Sequence, residues 1–150
     1  MQKIKRAIYT TLSSSLSTMS LVDNIKEYDN NDLVINDAEK LVYNNSAIAI
    51  GSQETEQTYY SKGFDLNKHK VSIFLFAKSS SSKEEIEVNF SSCSKILRDS
   101  DLGLTDTTPL VAKPIYMTNI SKVSHLYSLS DKIKYQEMEC LITEIVDITT

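Results

Sequence analysis

The densest apolar run of the chain lies at residues 69–77, with the sequence HKVSIFLFA. Successive side chains of a strand point to opposite faces, so a strand here carries apolar side chains on both. One face holds Val71, Ile73, Leu75 and Ala77, and the other holds Phe74 and Phe76. A strand that is apolar on both faces is covered on both, which predicts a central strand rather than an edge strand.

Four consecutive serines follow this strand and precede an amphipathic stretch. Ser81 with Glu84, or Ser82 with Glu85, fits a capping box, in which a hydroxyl and a carboxylate satisfy the free donors at a helix start. Beyond it, apolar residues recur at helical spacing, at Ile86, Phe90, Cys93 and Leu97. The pattern predicts a central helix over 82–98 that packs its apolar face on the sheet.

The N-terminal segment carries an apolar stripe at helical spacing, formed by Ile4, Ile8, Leu12, Leu16 and Met19. The stripe predicts a helix over 3–20 that docks on the domain. A membrane-surface helix is disfavoured, because the polar face is Ser and Thr rather than Lys and Arg. Farther along, residues 33–35 (LVI) favour a short strand, and Asp37 favours the start of a brief turn of helix.

Residues 47–51 (AIAIG) form a compact strand pattern, and the polar, acidic stretch 53–62 separates it from the strand at 69–77. The pattern predicts a strand, a long hairpin-like excursion and a return strand. Chain closure does not require an excursion of this length. Long polar segments of this kind usually contact another molecule.

The C-terminal part reads as a hairpin that completes the sheet. Strand-like residues occupy 115–123 and 126–129, and a final strand is predicted over 132–148. From Met138 onward its even positions are apolar except at Glu144, and read Met138, Cys140, Ile142, Val146 and Ile148. A continuous strand of this length would overreach a small sheet, so a bend or bulge is expected within it.

These elements predict a single α+β domain over 1–150, with a mainly antiparallel or mixed sheet covered by the N-terminal helix and the central helix. The chain is 41% hydrophobic, carries a net charge of −4 and has no Lys/Arg block. This balance argues against nucleic-acid binding as the main task, because such binding rests on phosphate neutralisation. Cys93 and Cys140 are expected to be reduced thiols, and neither an export signal nor a membrane span is recognisable.

No pattern of reactive side chains stands out. His69 and His125 lie in different predicted strands without further ligands at metal-site spacing, so both are interpreted as surface histidines. Phosphate-binding glycine loops and the common hydrolase motifs are also missing from the sequence. We therefore expect no enzymatic activity and assign no catalytic, cofactor-binding or metal-binding residues.

The order of elements resembles the tail terminator proteins of long-tailed bacteriophages, in the family of minor tail and neck proteins. The features that carry the resemblance are the helix at 3–20, the strand AIAIG, the acidic stretch 53–62, the strand VSIFLFA leading into a Ser-capped helix, and the hairpin 126–148. The resemblance covers nearly the whole chain but contains no signature motif. It implies a fold like that of tail-tube subunits.

The resemblance also implies a function. Tail terminators form a hexameric ring of identical copies on the finished tail tube, stop its polymerisation and present a docking surface for the head connector. DNA passes through the bore without specific binding, and the mild acidic balance of the chain suits this passage. The protein would be part of the virion, at the tail or neck, after assembly in the host cytoplasm. It would need no cofactor and no membrane.

Subunit or tube contacts are expected in the polar stretch before the central strand and in the loop after the central helix. The candidate interface residues are Gln53, Glu54, Glu56, Tyr59, Tyr60, Lys62, Asp99, Asp101 and Asp106. Two alternatives remain open at this point. One is another head–tail joining or neck-completion protein, and the other is a small cytoplasmic adaptor domain.

Overall fold

The computed structural model describes residues 3–15, 22–42, 45–81, 83–99, 117–122 and 127–147. The helices are α1 (Lys3–Ser14), α2 (Asn31–Leu41) and α3 (Lys83–Asp99). The strands are β1 (Val22–Glu27), β2 (Ser46–Ser61), β3 (Phe64–Lys78), β4 (Met117–Lys122), β5 (Tyr127–Ser128) and β6 (Ile133–Asp147).

The strands form one mixed sheet in the order β1-β2-β3-β6-β4, and β5 pairs with β6 beside this path. β1 runs parallel to β2, and the other pairs of neighbours are antiparallel. β3 lies in the middle, between β2 and β6, as its two-sided apolar pattern predicts. The α+β class with a mixed sheet is confirmed.

The two faces of the sheet support separate cores. The face under α1 and α3 buries Ile4, Ile8, Leu12, Ile48, Ile50, Val71, Ile73, Leu75, Cys93, Leu97, Met138, Cys140 and Ile142, among others. The opposite face, under α2, buries Tyr28, Val34, Ala38, Leu41, Val42, Ala47, Ala49, Phe74, Phe76 and Ile133. Full burial of one aliphatic side chain contributes about 1.5–3 kcal/mol, so both layers hold the sheet.

α1 and α3 confirm the predicted covering helices. Ile4, Ile8 and Leu12 of the N-terminal stripe are buried against the sheet. α1 ends at Ser14 and Ser15 follows it in a turn, and residues 16–20 of the predicted helix 3–20 lie outside the described residues. No described helix is long and apolar enough to span a membrane.

The short strand predicted at 33–35 is wrong, because these residues lie within α2. The brief helical turn predicted from Asp37 is the second half of the same helix, which begins earlier, at Asn31. Asn30 has extended backbone and accepts a hydrogen bond from the N–H of Leu33, so it caps a helix that begins at Asn31. The apolar residues of α2 that face the sheet recur at helical spacing, at Val34, Ala38 and Leu41. They therefore continue across the boundary between the predicted strand and the predicted helical turn. Burial of this stripe overrides the strand preference of three consecutive aliphatic residues.

The bend or bulge expected in the final strand is absent from its pairing with β3. β6 pairs residue for residue with β3 from Asp147, opposite Phe64, to Ile133, opposite Lys78. Both strands have 15 residues, so the long final strand does not overreach the sheet. The irregularities lie in β2 instead, between Ile50 and Gln53 and between Tyr59 and Ser61.

Both cysteines are buried free thiols, in agreement with the expected reduced state. Burial raises the pKa of Cys93 to about 12, and Cys140 adds to that shift. Burial, followed by the nearby Glu139 carboxylate, likewise raises the pKa of Cys140 to about 12. The thiols therefore stay neutral, and hence weakly nucleophilic, over the physiological pH range.

Candidate assembly interface on the outer hairpin

The polar stretch predicted to project from the domain is part of the sheet. β2 continues through it to Ser61, and β3 returns from Phe64 after a turn in which Gly63 adopts a positive φ of 83°. The predicted long hairpin is therefore confirmed, but its polar half is paired strand rather than loop. We call residues 53–70 the outer hairpin.

The outer hairpin has one side that no described strand covers. β1 pairs with β2 only from Ser46 to Ile50. Beyond β1, the covered part of β2 ends at Ser52, which forms two hydrogen bonds with Asn31. The Ser52 N–H donates to Asn31 Oδ1 at 2.8 Å, and the Asn31 N–H donates to Ser52 Oγ at 3.0 Å. We call the outward side of β2 from Gln53 to Ser61 the free edge.

The opposite side of the sheet is also open in the part of the chain that the structure describes. β4 is the last strand of the path and pairs only with β6. One row of paired residues across the sheet reads Met117, Thr143, Lys68 and Glu56, and another reads Ile120, Cys140, Val71 and Gln53. β4 therefore lies at the same height as the first residues of the free edge. It also runs antiparallel to β2.

The composition of the free edge suits pairing with another strand. An uncovered edge presents backbone N–H and C=O groups that can form a ladder with a second chain. The edge has no proline, which would block such a ladder, and its acidic residues face lysines of β3 across the strand pair, Glu54 opposite Lys70 and Glu56 opposite Lys68. Cross-strand neighbours of opposite charge favour the hairpin itself.

Hydrogen-bonded polar side chains connect β2, β3 and β6 at the height of the free edge. His69 Nε2 lies 2.6 Å from Glu144 Oε1, and His69 Nδ1 lies 2.9 Å from Thr55 Oγ1. Gln53 Nε2 donates to Thr55 Oγ1 at 3.1 Å, and Asn67 Nδ2 donates to Glu144 Oε1 at 3.4 Å. We call these five residues the polar chain; they link three strands on the face that carries α1 and α3.

The expectation that His69 is a surface histidine is wrong, because only 6% of the residue is exposed. Its two ring nitrogens both have partners, and donation from Nε2–H to the Glu144 carboxylate leaves Nδ1 to accept from the Thr55 hydroxyl. The sequence contained one indication of the pair of His69 and Glu144, because Glu144 interrupts the apolar face of the last strand. Only the pairing of β3 with β6 brings the two side chains together.

The described residues contain no group of three His, Cys, Asp or Glu side chains placed to hold a metal ion. Two surface cavities, of about 360 and 340 Å³, lie elsewhere: the first at the Lys78–Ile133 end of the sheet and the second on α3 around Phe90 and Arg98. Neither includes a residue of the polar chain. The polar chain therefore connects neighbouring strands through side-chain hydrogen bonds.

The candidate interface residues fall into three groups. Gln53, Glu54, Glu56, Tyr59, Tyr60 and Lys62 belong to the outer hairpin or its turn. Gln53 is half-buried in the polar chain, whereas Tyr59 and Tyr60 are 76% and 54% exposed. Asp99 is the last residue of α3, and Asp101 and Asp106 lie outside the described residues. Their role in an interface stays a prediction.

No protein-family model matches the sequence, and no curated protein matches it. The fold is similar to that of a chain in a solved structure described as "Virion of native gene transfer agent (GTA) particle". The two chains share 10% sequence identity with a TM-score of 0.50, and the match covers 95% of this chain and 93% of the other. At this identity the likeness shows a common fold.

Proposed function

We propose that the protein is a structural virion component that forms a ring on the end of a tail tube. The likeness in fold to a chain of a gene transfer agent virion supports a place in a virion particle. The order of elements, which resembles that of tail terminators, supports the end of the tube as that place. In this role the protein acts through the shape of its interfaces.

The observation that carries the ring is the presence, at one height, of two sheet edges that no described strand covers. β4 of one copy can pair with the free edge of the next copy, and the two strands have the antiparallel orientation that such a ladder needs. The two surfaces differ, so the contact is heterologous and closes into a ring when the rotation per copy permits. The resemblance to tail terminators sets the expected number at six copies.

In such a ring one face matches the tail tube and the other does not, so growth of the tube stops after the ring is added. The second face receives the connector of the DNA-filled head, and DNA passes through the bore. The partners are therefore other copies of this chain, the tail-tube protein and a neck protein. Each step depends on surface complementarity, and none requires a cofactor.

Mass measurement of the intact protein tests the ring directly. Native mass spectrometry of the wild-type protein, alone and with tubes of the cognate tail-tube protein, should show a species of six times the 16.9 kDa chain mass. A chain that remains monomeric at high concentration and does not bind tubes would contradict the proposal. Addition to purified tubes but not to filled heads would separate a terminator from another neck protein.

Proline substitutions test whether the free edge makes the ring. Successive N–H groups of a strand point to opposite edges, so one of Glu56 and Gln57 directs its N–H to β3 and the other directs it outward. Of the variants Glu56→Pro and Gln57→Pro, we expect one to lose stability and the other to stay folded yet monomeric. Ring formation by the stably folded variant would contradict the edge contact.

Point substitutions are a sharper test of the edge than a deletion of residues 54–60. That segment pairs with β3 and contributes Thr55 to the polar chain. Its removal would take away part of a central ladder as well as the proposed contact.

A further inference from the structure

Two hydrogen bonds at the start of β6 fix the neighbour to which each backbone group of the sheet points. The Ser79 N–H donates to Lys132 O at 2.8 Å on the β3 side, and the Leu129 N–H donates to Ile133 O at 2.9 Å on the β5 side. In an antiparallel sheet the N–H and C=O of one residue point to the same neighbour, and the side alternates along the strand. Even-numbered residues of β6 therefore point to β3, and odd-numbered residues point to β4 and β5.

This alternation reaches the free edge without a break. β3 pairs with β6 residue for residue, so Lys70, opposite Leu141, points away from β6 and toward β2. Glu54 is the partner of Lys70 and points back to β3. The pairing of β2 with β3 is regular over 53–59, so the residues whose backbone groups point outward there are Gln53, Thr55, Gln57 and Tyr59.

β4 presents a matching set of backbone groups at the opposite edge. Asn119 is the partner of Leu141 and therefore points to β6, which leaves Thr118, Ile120 and Lys122 directed outward. An antiparallel ladder between two copies forms only where outward residues of β4 stand opposite outward residues of the free edge. Within the regular part of that edge this condition leaves three registers, with Asn119 opposite Glu54, Glu56 or Thr58.

The covered part of β2 excludes the first of these registers. With Asn119 opposite Glu54, Ser121 of one copy would stand opposite Ser52 of the next. The Ser52 N–H already donates to Asn31 Oδ1, and the Asn31 N–H donates to Ser52 Oγ. The last two residues of β4 would therefore have no place in the ladder.

The hairpin turn disfavours the register at the other extreme. With Asn119 opposite Thr58, Met117 would stand opposite Tyr60, where the pairing of β2 with β3 becomes irregular. The outward backbone groups of Gln53 would also remain unpaired, beside the covered part of the strand. The middle register has neither fault.

Resting on the proposed function, we propose that β4 of one copy pairs with residues 53–58 of the next copy, with Asn119 opposite Glu56. All six residues of β4 then lie in the ladder, and Ser121 stands opposite Glu54. Both acidic residues of this part of the edge thus have an uncharged polar residue opposite them, which avoids destabilising like-charge pairs. Adjacent copies are shifted by two residues from equal height, about 7 Å along the strands.

Cysteine pairs that share Asn119→Cys distinguish the three registers. Within one chain Asn119 and Glu54 stand in one row, three strand spacings or about 14 Å apart, so a disulfide between β4 and the free edge joins two copies. We expect Asn119→Cys with Glu56→Cys to cross-link in oxidised glutathione into covalent oligomers up to the ring size, by non-reducing electrophoresis. The matched pairs with Glu54→Cys and Thr58→Cys stand diagonally, about 7–8 Å apart, and should cross-link at least about tenfold more slowly.

Native mass spectrometry under reducing conditions shows whether each variant assembles, and Thr118→Cys with Gln57→Cys tests the same register in a second position. Asn119→Cys alone should not cross-link, because Cys93 and Cys140 are buried. Rings that cross-link fastest through Glu54→Cys or Thr58→Cys would overturn this register. Rings that cross-link through none of the pairs would overturn the contact between the two edges. A wild-type protein that forms no ring would instead refute the proposed function, and that result is seen before any variant is made.

Discussion

The buried pair of His69 and Glu144 offers the sharpest test of how the outer hairpin is held. The side chains are 8% and 14% exposed, and the 2.6 Å contact joins β3 to β6. His69→Leu removes the main partner of a buried carboxylate and leaves it the Asn67 amide at 3.4 Å. Glu144→Leu instead leaves a ring N–H without its acceptor. The double variant removes both groups together.

The expected magnitudes follow from this geometry. Removal of one partner of a buried, charge-assisted pair costs about 3–5 kcal/mol, so His69→Leu should lower the free energy of unfolding by about 3 kcal/mol. Glu144→Leu should cost about 1–3 kcal/mol, because the ring N–H that donated to the carboxylate is left unsatisfied. The double variant should cost less than the sum of the two single variants, by about 2 kcal/mol, since neither the carboxylate nor the ring N–H is left behind without the other.

Equilibrium urea denaturation of the four proteins in this cycle measures the coupling. Lys70→Ala is the matched control, because Lys70 is the exposed neighbour of His69 on the same strand and should change stability by less than about 0.5 kcal/mol. Hydrogen exchange should locate the loss of protection in the outer hairpin. A coupling below about 0.5 kcal/mol, or a cost of His69→Leu no greater than that of Lys70→Ala, would show that the pair does not hold the outer hairpin.

Two further predictions concern the sheet and its thiols. Gly51→Ala should lower the free energy of unfolding by about 1–3 kcal/mol, because the added Cβ would overlap Asn31 Oδ1 and lie 3.1 Å from Phe74 Cε2. Asn31→Ala in the same chain should relieve part of that loss. Simple additivity of the two costs would contradict the clash. Burial raises the pKa of Cys93 and of Cys140 from 9.0 to about 12, so the thiols ionise at a lower pH in the unfolded chain than in the folded one. Their contribution to the free energy of unfolding should therefore be fully present below pH 9 and lost between about pH 9 and 12. In a variant with both cysteines replaced by alanine, the midpoint of urea unfolding should fall less steeply as the pH rises through this range. Fast reaction of the native thiols with a disulfide reagent at pH 8 would contradict their burial.

The sequence predicted those elements whose periodicity is local and strong. The two-sided apolar run of β3, the helical stripes of α1 and α3 and the long hairpin are all present in the structure. α2 was missed because its first apolar residues are β-branched or strand-compatible, and its helical period emerges only when Asn30 is recognised as the cap. In α2 the local preference for strand opposed the burial of the helical apolar stripe, and burial against the sheet determined that the segment is a helix.

The candidate interface shows the same division. The sequence by itself marked residues 53–62 as polar beyond the needs of the core, and it marked Glu144 as an exception in an apolar strand. The tertiary structure decided that the first contains a sheet edge that no described strand covers and that the second pairs with His69. Both facts depend on which strands are neighbours and in which register. β3 and β6 are far apart along the chain, and the polar or apolar character of a position does not name its partner on a distant strand, so only the fold showed that His69 meets Glu144.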